Sequence, residues 1–135
     1  MRTTLSPYPS GPTGKDATPI TASSGNVAAG TATATLAAGG ANFLTYISGF
    51  EVTADGATAA AAGVNVTVTN TVGGTLTYSF GVATLGNQQP LIVEFNPPIP
   101  ANALNTTIVV SMPTLGAGNL HACIVAHGFQ LPQSS

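Results

Sequence analysis

From residue 31 onward, apolar and polar residues alternate in short runs separated by Gly, Asn and Pro clusters. The clearest run is 64–72: Val64, Val66, Val68 and Val72 share one parity, and Asn65, Thr67, Thr69 and Thr71 the other. Side chains alternate across a β-strand, so this is a strand with one apolar face. Leu76, Tyr78, Phe80 and Val82 form a second such face. Further runs rich in Val, Ile, Thr and aromatics lie at 31–37, 42–55, 90–95, 106–113 and 121–131. Seven or eight strands punctuated this way predict an all-β fold, an antiparallel β-sandwich or barrel.

Parity also constrains the connection between the two clearest strands. A two-residue Gly73-Gly74 turn would set apolar residues opposite polar ones. A three-residue loop sets Val72 opposite Leu76 and Val68 opposite Phe80, so the pattern predicts a longer turn with a glycine at positive φ, or a crossover between sheets. After Phe95, "NPPIP" removes ladder donors and predicts a stiff connection rather than a central strand. The tract 56–63, "GATAAAAG", reads as a loop, with a single helical turn as the alternative.

Residues 1–25 differ from the rest. They carry four of the prolines, both basic residues, Arg2 and Lys15, and no apolar periodicity. This predicts an extended, poorly packed arm (1–25) before a single sandwich domain (26–135).

Charge narrows the function. Charged residues are 4% of the chain and the net charge is −2. A nucleic-acid binder needs clustered Lys or Arg to displace counterions from phosphates, and attachment to anionic lipid needs a basic patch. Neither is expected. Thr, Gly, Asn or Pro interrupts every apolar run well before the ~20 residues of a spanning helix. No basic stretch leads into an apolar segment at the N-terminus, so no signal peptide is expected. The β region also lacks lysine, the usual guard of open sheet edges. Its edges must be closed, covered or paired with other chains, which predicts assembly.

The candidate chemistry is sparse. His121, Cys123 and His127 fall in "LHACIVAHGFQL" and share a parity on one strand. His121 and Cys123 could chelate one ion, but His127 lies roughly 13 Å beyond Cys123 by strand rise, and zinc wants three or four ligands. Packing, or a place at a subunit interface, is the expectation for all three. A Cys–His nucleophile has no nearby cation to lower the thiol pKa. Glu51 and Glu94 read as solvated or interfacial carboxylates rather than a glycosidase pair. No catalytic residue, cofactor or metal is expected.

The order of segments adds a resemblance. A Pro/Ser/Thr arm, then "NFLTYISGFEVTADGATAAAAGVNVTVT", "GGTLTYSF" and "VEFNPPIPANALNTTIVVSMPTLGAGNLHACIVAHGFQL" resembles small head decoration, or cement, proteins of tailed bacteriophages. That likeness implies a jelly-roll-like sandwich made in the bacterial cytoplasm. Its copies would sit as homotrimers or dimers on the capsid exterior and bind between major capsid proteins. Arg2, Tyr8 and Lys15 of the arm would then touch the capsid. Phe43, Tyr46, Phe50, Tyr78, Phe80, Phe95, His121, His127 and Phe129 would fill the core or the subunit interface. The rival reading is a carbohydrate- or receptor-binding sandwich of a tail fibre or secreted protein, with Tyr46 or Tyr78 near Asn87–Gln89 as a sugar platform.

Overall fold

The computed structural model describes residues 17–60, 63–84, 86 and 88–133. The strands are β1 (Thr18–Ser23), β2 (Ala32–Leu36), β3 (Phe43–Ala54), β4 (Ala59–Ala60), β5 (Val64–Thr69), β6 (Leu76–Phe80), β7 (Leu91–Pro100), β8 (Ile108–Met112), β9 (Gly116–Ala117) and β10 (Ala122–Pro132). Eight of them build two four-stranded sheets, β1-β10-β3-β7 and β2-β8-β5-β6. The two-residue strands β4 and β9 pair only with each other.

The pairing has a simple rule. Among the eight main strands the first pairs with the last (β1 with β10) and the second with the second-last (β2 with β8). The third pairs with the third-last (β3 with β7), and the two middle strands, β5 and β6, pair together, all antiparallel. One long hairpin folded over itself in this way is a jelly roll, with its Greek-key connections. The fold is therefore an all-β antiparallel sandwich of jelly-roll topology.

The core lies between the sheets. Leu36, Val66, Val68, Ile108, Val110 and Met112 of one sheet meet Ile47, Phe50, Val52, Ile124 and Ala126 of the other, all fully buried. Phe50 is the hub of an aromatic cluster, with Tyr78 edge-on at 5.5 Å and Phe95 tilted at 6.2 Å. At about 25 cal/mol per Å² of apolar surface removed from water, such side chains supply most of the favourable free energy. Phe80 also belongs to this core, whereas Phe43 is half-buried.

Four expectations need correction. Residues 18–23, expected within the arm, form β1, because a regular backbone pairing with β10 from Thr18↔Gln130 to Ser23↔Val125 substitutes for sequence periodicity. Ile20 and Ala22 also pack on the core. The segment after Phe95 is not a mere connection: β7 runs to Pro100. It tolerates three prolines because it is an edge strand, and because Pro97 and Pro98 fall between Glu94 and Ile99, where β7 has no register partner on β3. The β5–β6 register is Val68↔Leu76 and Val64↔Phe80 rather than Val68 opposite Phe80. The turn is longer because Asn70 adopts φ 69 and leads the chain out of the sheet. There the Val72 amide donates to the Pro100 carbonyl at 3.0 Å. Gly73 and Gly74, at φ 89 and 105, then close the turn in the left-handed region that glycine adopts most readily. Lastly, part of the expected loop 56–63 forms β4.

Candidate functional site: the outer face of the β1-β10-β3-β7 sheet

The outer face of this sheet carries the acidic and histidine side chains that lie on strands, and a bulge sets which ones. Ser48 of β3 stands without a partner between the pairs His127↔Gly49 and Gly128↔Ile47, and on its other side residues 95–98 of β7 lie between the pairs Gly49↔Glu94 and Ile47↔Ile99. Even positions Phe50 and Val52 face the core on one side of Ser48, and odd positions Thr45 and Ile47 on the other. Glu51 and Tyr46 therefore share the outer face with Cys123, Val125, His127 and Phe129 of β10. The residue-to-residue register lays this face out in rows: Ser23–Val125–Glu51–Ile92, Thr21–His127–Gly49–Glu94, and Pro19–Phe129–Tyr46–Pro100.

Gly49 makes the central row close. A Cβ there would stand 2.7 Å from the Val93 carbonyl oxygen and 2.9 Å from His127 Cε1, so the imidazole lies over bare backbone. From that position His127 Nε2 meets Glu51 Oε2 at 2.8 Å, and Nδ1 meets Ser48 Oγ at 3.1 Å. Ser48 Oγ also lies 3.0 Å from the His127 carbonyl oxygen, where its hydrogen is donated. The roles at Nδ1 depend on the ring tautomer, and with a carboxylate as its partner Nε2 is the donor to Glu51. Both partners are 36% exposed, so the pair is worth only a fraction of a kcal/mol up to about 1 kcal/mol.

The connectivity is that of a Ser–His–carboxylate relay, but here the serine is set in the bulge and the carbonyl of His127 competes for its proton. Contacts at both ring nitrogens hold the imidazole beside Gly49. Sequence reasoning left Ser48 out entirely. The signal was the glycine beside it, since a glycine inside a strand pattern marks a bulge or a close approach.

His121 stands apart. It precedes β10 at the end of the sandwich, with Nδ1 3.3 Å from Asn26 Oδ1. Cys123 Sγ instead neighbours Ser23 Oγ at 3.8 Å. The structure does not bring His121, Cys123 and His127 together, and among the described residues no group of three or more His, Cys, Asp or Glu side chains could hold a metal ion. The polar centre of that end is Asn119, buried at 1% exposure. Its Nδ2 donates to the Asp55 carboxylate at 2.8 Å and to the carbonyls of Asp55 and His121 at 2.9 and 3.1 Å. Asp55 Oδ1 also accepts from the His121 amide at 3.1 Å. This network closes the turn into β10.

Of the proposed sugar platform, Tyr46 stacks on Phe129 at 4.7 Å. Tyr78 belongs to the Phe50 cluster, and burial raises its pKa above the ordinary 10.0. Gln88 is engaged with the backbone of Gly81 and Ala83, while Asn87 lies outside the described residues, as do Arg2, Tyr8 and Lys15 of the arm. Tyr46 thus gives one ring face to Phe129, and Tyr78 turns toward Phe50 and Phe95.

No protein-family model matches the chain, and no curated protein sequence does. A solved structure of Desmodium yellow mottle tymovirus is similar with a TM-score of 0.43 and 13% identity, over 98% of this chain and 95% of that one. The jelly-roll topology rests on the strand register of this chain itself.

Proposed function

We propose that the protein is a non-enzymatic structural component of a virion, which decorates and stabilises a phage capsid from outside as a homo-oligomer bound between major capsid proteins. The observation that carries this reading is the state of the sheet edges. Strands β1, β2, β6 and β7 end the two sheets, and Glu94 is the one charged side chain on all four. The edges of β2 ("ATATL") and β6 ("LTYSF") contain neither proline nor charge. An unguarded edge presents free backbone donors and acceptors to another chain. A homotrimer closes such edges with cyclic symmetry, as a dimer does.

Neutral surfaces suit a shell. Hydrogen bonds between uncharged groups and apolar burial are little affected by salt, unlike contacts between exposed charges. The test is a titration of the purified protein onto isolated capsids that lack it, read by sedimentation, beside a glycan array. Saturable capsid binding with a silent array is the expected result. Saturable glycan binding without capsid binding would replace this reading with the carbohydrate-binding one.

A further inference from the structure

Among the strands that end the two sheets, β6 is the one both unguarded and open. Strand β1 carries Pro19, and β7 carries Glu94 with Pro97, Pro98 and Pro100. Proline and charge are what keep a second strand from adding to an edge. Strand β2 has neither, but its Ala32, Ala34 and Leu36 are 0, 1 and 0% exposed, and the strand lies against β1 and β10 of the other sheet. In β6, Leu76 and Tyr78 are half-buried, Thr77 and Ser79 are exposed, and only Phe80 is buried. Among the described residues no strand pairs with β6 on the side away from β5.

The sequence of β6 indicates what fits there. "LTYSF" is a chemical palindrome about Tyr78, running apolar, hydroxyl, aromatic, hydroxyl, apolar in either direction. A second copy laid antiparallel, with a two-fold axis beside Tyr78, sets Tyr78 opposite the partner's Tyr78. Leu76 then faces the partner's Phe80, and Thr77 faces the partner's Ser79. Directly opposed residues project to the same side of a sheet. Apolar therefore meets apolar toward the core, and hydroxyl meets hydroxyl outside. A slip of one residue would instead oppose Thr77 to tyrosine and Leu76 to serine, so the pattern specifies the register. Tyr78 already lies edge-on to Phe50 and tilted to Phe95, and the axis would bring the aromatic clusters of both copies together.

We infer that two copies of the chain pair through β6 in this register, which joins their β2-β8-β5-β6 sheets into one continuous sheet. The inference rests on the assembly reading above and names the edge, the register and the symmetry that assembly uses. The paired strands hold no charged group, so the contact resists salt.

The test is disulfide trapping in the full-length chain. Thr77→Cys and Ser79→Cys are each combined with Cys123→Ser, which removes the native thiol. The two chains are expressed separately and together, purified, mildly oxidised and run without reductant, with light scattering alongside. Direct opposition brings Cα atoms to about 4.5–5.5 Å, within the range a disulfide spans. A linked dimer is expected from the co-expressed chains, joined between positions 77 and 79 in peptide mass spectrometry, and absent from either chain alone. Thr77 and Ser79 are exposed, so both variants keep the fold. A link formed by either chain alone would mean a different register. No link in a protein that scatters as a dimer or trimer would move assembly to another surface and leave the capsid reading standing. No link in a monomer would remove the assembly reading as well. Each of these three results overturns the inference.

Discussion

At the residue scale, glycine decides how closely the strands of the outer-face sheet approach. Gly128 is the strictest position: a Cβ there would fall inside the van der Waals envelope of the Tyr46 carbonyl oxygen and 3.1 Å from Ile47 Cα. Both neighbours are backbone and cannot rotate away. Gly128→Ala is expected to cost about 3 kcal/mol, at the upper end for overpacking, seen as a lower denaturant midpoint; an unchanged midpoint would contradict the register at the bulge. Tyr78 gives a pH-dependent counterpart. Burial raises its pKa in the folded state above the unfolded 10.0, so the fold holds the phenol proton more tightly than the unfolded chain. Its contribution is whole below pH 10 and is lost as pH rises through the higher folded value. Tyr78→Phe should therefore lose less stability than the parent between pH 9 and 11 (approximate bounds set by the tyrosine range) in denaturation midpoints. Parallel losses in the two proteins would show that the phenol is not buried against the Phe50 cluster.

At the element scale, periodicity made the alternating strands legible and left the exceptions hidden. The alternation of Val64, Val66 and Val68 fixed β5 and its buried face, as did Leu76, Tyr78 and Phe80 for β6. Strand β1 was invisible because "TPITAS" is short, polar and proline-bearing. Its strand conformation comes from β10, a neighbour a hundred residues away in sequence. The bulge at Ser48 inverts parity inside one strand and is marked in the sequence by Gly49 alone, and with it went the Ser48–His127–Glu51 array. Proline in β7 argued correctly against a central strand, yet sequence alone does not show which strands become edges. Those edges carry a prediction. Thr33 of β2 and Thr77 of β6 are both exposed, and a lysine on either opposes strand addition by a second chain. Thr33→Lys with Thr77→Lys is expected to lower the solution mass toward that of one chain, with the unfolding midpoint little changed. An unaltered mass would mean that assembly uses another surface.

At the scale of the whole molecule, a jelly roll of 135 residues with a net charge of −2 has little electrostatic means of staying apart from its copies. Net charge far from zero keeps proteins dispersed, and this chain has almost none. Its candidate site follows the same logic. The outer face is built around one half-exposed His–Glu pair, the Tyr46–Phe129 stack and exposed Ile92 and Val125. Fold alone does not assign function, so the claim that the protein works by permanent contact must be read from its assembly. Light scattering of the purified full-length chain at low and high salt tests it most directly. The account predicts a salt-resistant dimer or trimer, two or three times the 13.3 kDa of one chain. A stable monomer at high concentration would contradict it.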